Sequence, residues 1–450
     1  MSPSARKLAL LVILGCLLLL LNRVGLHLQR QNNLPWFVGT VLAQGVAYLV
    51  GVRLVLTGTK ASGVLPAVLL LAALLRISIL FAPPYLSDDI YRYVWDGRVQ
   101  AAGINPYRFV PDSSELGWLR DGRIYPRINR SDYAPTIYPP VAQAIFLAAT
   151  RASESITWMK AVMVGFEALA VFMLVRLLVS LGLPAERVLI YAWNPLTIWE
   201  FAGSGHIDAA AIAFLVLALW ARRRNLPALA GITLACATLT KFYPAAIFPA
   251  LYRRWDWKMP AGFAATIILG YLPYAKVGLR VLGFLPGYIE EEGLKSGERF
   301  YLWTLLQKAR PVSWFDGVWY VALLALVLLA VAAWLMVRTQ RGEGDFLLQA
   351  TVLAALPSVL FSPHYPWYFA WVLPLLVFVP YLPMLFLTVA AFILYESRLQ
   401  ETPESLFRYN TLLYLPFVVL IVAQWLWKHR QSPSLAAVSL AHRAEDPNAK

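Results

Sequence analysis

Apolar stretches long enough to cross a bilayer recur along this chain from residue 8 to residue 427, and no other property of the sequence narrows its fold so far. In hydrocarbon the backbone N–H and C=O groups must be bonded within the protein, which for runs of this length means helices. With 59% hydrophobic and only 14% charged residues, the sequence reads as an all-α, polytopic membrane protein. Residues 8–21, behind Arg6 and Lys7, have the look of a signal peptide, but no small-residue cleavage site follows and many further apolar runs come after them. They read as a retained first helix. A net charge of +14 would point to nucleic acid in a soluble domain. Here the basic residues sit in short loops between apolar runs, so they report orientation, and no nucleic-acid partner is expected. Cys16 and Cys236 lie inside apolar runs without His or Cys companions at metal spacing, and read as inert core residues.

The apolar runs lie near residues 8–25, 36–56, 64–82, 158–180, 187–204, 207–223, 260–277, 317–338, 346–361, 366–380, 383–396 and 408–427, about twelve spans in all. With the N-terminus in the cytoplasm, alternation places Lys60, Arg176, Arg187, Arg222, Arg223, Arg224, Arg338, Arg341, Lys428 and Arg430 on the cytoplasmic side, the bias that the positive-inside rule expects. The same alternation puts loops 83–138, 278–316 and 397–407 outside. Two stretches do not fit as simple spans. Residues 139–153 are apolar but short, and read as a juxtamembrane helix that stays on the outer side. Residues 225–252, "NLPALAGITLACATLTKFYPAAIFPALY", have basic clusters at both ends and Lys241, Pro244 and Pro249 within. Two half-length helices forming a re-entrant hairpin reconcile both ends with the cytoplasm. The organisation expected is one integral membrane domain over 1–430, with 83–157 as an extracytoplasmic loop bearing juxtamembrane helices. A polar cytoplasmic tail over 431–450 is expected to be disordered.

The first outer loop opens with "SDDIYRYVWDGRVQAAGINPY", residues 87–107. Tyr91, Val94, Trp95, Val99 and Ala102 form one apolar stripe with Asp89, Arg92, Asp96 and Gln100 opposite, the pattern of an amphipathic helix lying at the interface. Ser87 suits its N-cap and Gly103 its stop. Asp88 and Asp89 in this position could do no more than complement the helix dipole. The neighbouring "RIYPRINRSDYAPTIYPP" argues for more, because a long loop of this kind is costly to order unless it builds something. Farther on, "WNPLTIWEFAGSGHID" puts His206 and Asp208 where one span ends and the next begins, with Glu200 inside the preceding span. An ionisable residue at such depth is a functional candidate, and a solvated interhelical turn is the plain alternative. Lys241 in a membrane segment costs about 3 kcal/mol unless paired. It therefore either neutralises a phosphate at the hairpin tip or snorkels to an interface, and Arg76 poses the same choice. "FSPHYPWYFAWVLP" sets His364, Tyr365, Trp367 and Tyr368 at an outer boundary, where an aromatic belt explains the rings but not His364. No glycine-rich phosphate loop, Walker motif or His-Glu-x-x-His occurs. Any donor used outside must then arrive already energised, as a phosphate-bearing lipid would.

In their order along the chain, "DDIYRYVWDG", "AAGINPY", "YPPVAQAIF", "WNPL", "GHID", "LTKFYP" and "SPHYPWY" resemble the GT-C superfamily of polyprenyl-phosphate-sugar glycosyltransferases, and within it the family 87 mannosyltransferases. The resemblance implies a plasma-membrane enzyme with its active site facing the extracytoplasmic side. It implies transfer of a sugar, most often mannose, from a polyprenyl-phosphate donor to a hydroxyl of a lipid-linked or cell-envelope glycan, by a monomer embedded in membrane lipid. It also implies a catalytic Asp acting as base, a role that falls on Asp89, because the family's Asp, three residues, then Tyr fits Asp89 and Tyr93. Asp88 departs from the single-Asp versions and remains an alternative base. It is also an alternative partner of Asp89 in holding a divalent cation, Mg or Mn, which the superfamily does not require. The phosphate of the leaving group falls to Lys241 and Arg92, then to His206 and His364. Asp96, Tyr138, Asp208 and Tyr365 complete the expected substrate-binding set. One displacement assisted by one base implies inversion at the anomeric carbon. A lipid-linked sugar flippase and an O-antigen ligase or polymerase are the alternatives. The first should carry its ionisable residues near the midplane, the second its essential loop later in the chain.

Overall fold

The computed structural model describes residues 2–57, 62–293, 297, 299–310, 316–337, 344–399 and 402–431. Lys60, Arg338 and Arg341, which entered the orientation, and residues 432–450 of the expected tail lie outside the described residues. Among the described residues every regular element is helical. The longer helices are α1 (Pro3–Arg30), α2 (Leu34–Leu56), α3 (Val64–Leu80), α4 (Asp89–Ala101), α5 (Pro140–Ala152), α6 (Ile156–Ser180), α7 (Asp208–Arg223), α8 (Pro227–Thr238), α9 (Lys258–Tyr271), α10 (Gly317–Val337), α11 (Asp345–Leu360) and α12 (Pro403–Gln431). Among the described residues, six helical runs are long and apolar enough to cross a membrane: α1, α2, α6, α10, most of α12 and the kinked run Lys258–Glu291 that begins with α9. Their outward residues include Ile13, Leu20, Leu326 and Leu329, all exposed, as a lipid-facing surface requires. Exposed Trp255 and Trp257 precede α9, and exposed Trp427 lies near the end of α12, where indole rings favour the interface. Cys16 belongs to this outer surface and not to the core, and Cys236 is only partly buried.

Not every apolar run is a continuous helix. Run 187–204 is broken into a 3-10 turn Ala185–Val188, the short helices Leu189–Ala192 and Pro195–Thr197, and a π-helical turn Ile198–Gly203. The cause is local: Pro195 has no N–H and forces Asn194 into an extended conformation, with ψ 127°. Asn194 then caps the restart by accepting from the Leu196 N–H at 2.9 Å, and donates to Thr388 at 2.9 Å. Run 366–380 is likewise a 3-10 helix, Pro366–Val372, followed by the single turn Leu373–Leu376. Such interrupted backbone survives inside a membrane protein only where other helices cover it, and the whole of 188–202 is buried.

Polar side chains close the gaps that these breaks leave. Arg76 of α3 donates to Glu167 of α6 at 2.5 and 3.1 Å, to the Thr197 hydroxyl at 3.1 Å and to the Ala192 carbonyl freed by the break. Arg76 is thus a buried strut and does not reach an interface. Asn22, Gln44 and Trp199 form a second buried chain, with Gln44 donating to Asn22 and Trp199 to Gln44, both at 2.8 Å.

The two ends of the bundle differ in chemistry. At one end Lys7 pairs with Glu186 at 3.7 Å, Arg223 donates to the Ser180 carbonyl at 2.8 Å, and Arg253 donates to Asn225. That last bond brings together the two ends of the 225–252 segment, which folds as a hairpin of α8 and the pieces Tyr243–Ile247 and Phe248–Leu251 with Lys241 near its tip. The hairpin packs tightly on α9: a Cβ on Gly231 would lie 2.1 Å from the Met259 carbonyl oxygen, and one on Gly262 would lie 2.7 Å from that of Ala228. Small residues at such crossings let helix backbones touch. At the opposite end lie α4, α5 and the loop between them. Helix α4 does not rest on the surface as an amphipathic interfacial helix; Ile90 through Val99 are all buried. Loop 102–139 and α5 cover its polar face, with Arg92 donating to the Ala134 carbonyl at 3.1 Å and Arg98 pairing with Asp121 and Glu154, both at 2.7 Å.

Removing one partner of a buried ion pair leaves an uncompensated charge. We expect Glu167→Gln to destabilise the fold by about 3–5 kcal/mol, and the double change Arg76→Met with Glu167→Met to recover part of that loss, since the Ala192 carbonyl then lacks its donor. Unfolding of the purified protein by denaturing detergent measures both, and a double variant no better than the single one would count against this role.

Candidate active site

A cavity of about 530 Å³ opens at the end of the bundle where α4 begins. Ser87, Asp88, Asp89 and Arg92 form one wall, residues 129–139 a second and the hairpin tip Lys241–Tyr243 a third, with Tyr288, Tyr365, Trp367, Tyr368 and Arg398 among the rest of the lining. Carboxylates, cations and aromatic rings thus converge on one space, the composition of a site for a polar ligand with an apolar extension.

Asp89 is the first residue of α4, and its N–H donates to the Ser87 hydroxyl at 3.3 Å, so Ser87 acts just before the cap residue, Asp88. The Asp89 side chain is 19% exposed, with Oδ1 accepting from Asn129 at 3.0 Å and Oδ2 lying 3.8 Å from Nδ1 of His206. His206 does not line the cavity; it is buried behind Asp89, with Nε2 3.3 Å from Glu200. Its ring stacks on Trp367 at 4.3 Å between centroids, and Trp367 stacks on Tyr365 at 4.4 Å. Gly205, at φ 77°, makes the turn that admits His206, and a Cβ there would lie 2.4 Å from Ile90.

The expected substrate-binding residues divide into two groups. Arg92, Tyr138, Lys241 and Tyr365 line the cavity with Asp88 and Asp89. Asp96 and Asp208 do not; each holds a neighbour in place. Asp96 accepts from Arg92 at 2.9 Å, from Gln143 at 3.0 Å and from the Thr136 hydroxyl. It is 2% exposed and serves the wall of the cavity, not its contents. Asp208 pairs with Lys241 at 3.4 Å and accepts from the Tyr243 hydroxyl at 2.9 Å, so the Lys241 ammonium has a carboxylate partner within the protein. His364 lies in an adjoining cavity with Arg299 and Glu291, bridging Glu292 and Arg299 at 3.2 Å each.

Several lining residues were not singled out from the sequence. Asn129 and Arg130 fall in the Arg- and Tyr-rich loop segment but carry no motif of their own. Arg398 and Tyr288 lie far downstream in ordinary polar stretches. Arg398 lines both cavities, donates to the Leu86 carbonyl at 2.8 Å, and sits near the Tyr365 and Tyr395 rings. Arg130 pairs with Glu291 at 2.8 Å. Among the described residues no group of three or more His, Cys, Asp or Glu side chains is placed to hold a metal ion.

The profile of the family described as Alpha-(1->6)-mannopyranosyltransferase, N-terminal domain, matches residues 15–255, more than half of the chain. The chain belongs to this family. It is a membrane mannosyltransferase, and the matched region holds Asp88, Asp89, Arg92, Asp96, Tyr138, His206, Asp208 and Lys241. Tyr288, His364, Tyr365 and Arg398 of the mannosyltransferase lie beyond it. No curated protein and no solved structure matches the chain.

Burial is the largest influence on the Asp88 carboxyl and raises it above the ordinary carboxylate value; Arg398 lowers it, Asp89 raises it and Arg127 lowers it, with the net shift upward. An acid whose folded value lies above the unfolded one, about 4, holds its proton more tightly when folded, so stability falls as pH rises through that window. Asp88→Asn removes this loss. Thermal denaturation in detergent should show the variant gaining on the wild type as pH rises from about 4, and a variant that loses ground as pH rises would contradict the assignment.

Proposed function

We propose that this mannosyltransferase moves mannose from a polyprenyl-phosphate donor to a hydroxyl of a lipid-linked or cell-envelope glycan at the extracytoplasmic face, forming an α-(1→6) linkage. The observation that carries this reading is the meeting of Asp89 with Lys241 and Arg398 in one cavity lined by aromatic rings. The acceptor hydroxyl is a poor nucleophile at neutral pH, and Asp89 Oδ2, the oxygen not taken by Asn129, is free to accept its proton as the bond forms. The departing phosphate is already a stable anion, so cations can replace a general acid. Lys241 and Arg398 serve that end. Arg92 lines the cavity too, but it is held more closely by its carboxylate, Asp96 at 2.9 Å, than Lys241 is by Asp208 at 3.4 Å. Tyr138 and Tyr368 flank Lys241, whose Nζ lies 6.0 and 5.4 Å from their ring centres, and rings of this kind suit both a sugar face and a prenyl chain.

The sidedness draws support from how the loops gather. Loops 83–138, 278–316 and 397–407, which alternation assigns to the outside, contribute Asp89, Tyr288 and Arg398 to the same cavity. The likeness to the GT-C superfamily, the plasma membrane as location and the monomeric state belong to this proposal as well.

A single displacement inverts the anomeric centre, so an α-linked product requires a β-linked donor. Purified enzyme given labelled polyprenyl-phosphate mannose should transfer from the β-anomer alone; equal use of the α-anomer would overturn the one-step scheme. Asp89→Asn should keep the fold and lower kcat by about 100- to 10,000-fold. Lys241→Met and Arg398→Met should each lower it by about 100-fold. Transfer is expected to survive EDTA, since these cations face the phosphate. Wild-type turnover by Asp89→Asn would remove the base from the scheme.

A further inference from the structure

Behind Asp89 the structure holds two ionisable side chains that a simple interhelical turn does not need. His206 is 1% exposed and Glu200 is fully buried. Both ring nitrogens of His206 and Oε2 of Glu200 lack a hydrogen-bond partner of good geometry, although they face each other at 3.3 Å. Unmet buried polar groups destabilise a fold, so a pair of them beside a base calls for a role beyond packing. Their placement is built by unusual backbone. Glu200 sits in the π-helical turn Ile198–Gly203, a rare conformation that often marks functional positions, and the His206 N–H donates back to the Glu200 carbonyl at 2.9 Å. The Tyr395 hydroxyl donates to Glu200 Oε1 at 2.7 Å, leaving Oε2 turned toward the imidazole.

We propose that His206 and Glu200 form a buried proton relay behind Asp89, an inference that rests on Asp89 being the base. With the imidazole neutral, the Glu200 carboxylate favours the proton on Nε2, which leaves the Nδ1 lone pair facing Asp89. As the acceptor O–H bond breaks, its electron pair forms the bond to the anomeric carbon. The bond from that carbon to the phosphate oxygen breaks, and its pair stays on the phosphate. The proton goes to Asp89 Oδ2 and then to His206 Nδ1. Asp89 is again a carboxylate, and the imidazolium lies between two anions, with Glu200 holding and stabilising it as the acid of a serine-protease triad does for its histidine. The reverse reaction needs a protonated Asp89 to return the proton to the glycosidic oxygen. Passing that proton to His206 withholds it until the products leave and water reaches Asp89.

His206 and Glu200 are positioning residues in this scheme, and the test must separate that role from a structural one. The full-length enzyme is assayed with β-polyprenyl-phosphate mannose, with folding of each variant checked by thermal denaturation. His206→Gln should lower kcat by about 30- to 100-fold and Glu200→Gln by about 10-fold, with the donor KM within about twofold of wild type. The double variant should be no slower than His206→Gln alone, because groups acting as one unit do not add. Imidazole in the buffer should restore part of the activity of His206→Ala in a saturable way. Glu200→Gln still accepts from Tyr395, so it carries the test if the His206 variants fail to fold. Wild-type kcat in folded His206→Gln or Glu200→Gln, or losses that multiply in the double variant, would overturn the relay. An active Asp89→Asn would defeat the base assignment itself, whereas an inactive Asp89→Asn beside an active His206→Gln would defeat the relay alone.

Discussion

The break at Asn194–Pro195 is the constraint on which the architecture turns. A chain in hydrocarbon has no water to satisfy an opened helix, so each carbonyl and N–H released there must find a protein partner. The Arg76 guanidinium supplies one by reaching the Ala192 carbonyl, and Glu167 of α6 balances its charge. Asn194 supplies another by capping the restart. The helix that resumes is underwound into a π turn, and that turn ends at Gly203 so that Gly205 and His206 can tuck beneath the start of α4. A continuous helix through 187–204 would have carried Glu200 and His206 elsewhere.

Helix α4 is set by a comparable exchange of water for protein. Its polar face would ordinarily lie in the headgroup region. Here the Arg92–Asp96 pair, the Thr136 hydroxyl and Gln143 tie that face to the covering loop, and Arg98 is held by Asp121 and Glu154. Burial on every side fixes the helix axis, and the first residue of that helix is Asp89. The hairpin brings Lys241 from another direction, and Asp208 and Tyr243 fix where its ammonium points.

Much of this was readable in the sequence where the signal was local. The all-α membrane class followed from the apolar runs, and the paired basic clusters around 225–252 marked a segment that turns back on itself. Asp88, Asp89 and Lys241 stood out because charge at the edge of an apolar run is costly. What was not readable depended on distant partners. Residues Asp96 and Arg92, four apart on a helix, look alike as ligands or as a mutual pair, and only loop 129–138 decides between them. Arg398 lies in a stretch with no pattern, and its place beside Asp88 comes from the packing of chain segments some three hundred positions apart. The breaks within runs 187–204 and 366–380 were not readable, because hydropathy sees a run of apolar residues but not the prolines' effect on where a helix can continue. Arg76 and Lys241 gave the same signal in sequence, and folding made one a strut and the other part of the cavity wall.

One arrangement bears on how such an enzyme lets go. Lys241 is tethered to Asp208, Arg130 to Glu291 and Arg92 to Asp96, so most of the positive charge around the cavity already has an anion of its own. In the proposed reaction an arriving pyranosyl lipid would share these cations with resident carboxylates and could not claim them outright. On that proposal the spent carrier would be held by the same divided attraction, strong enough to align it and weak enough to release it, and a site stripped of those acids would bind its donor more tightly while turning over more slowly.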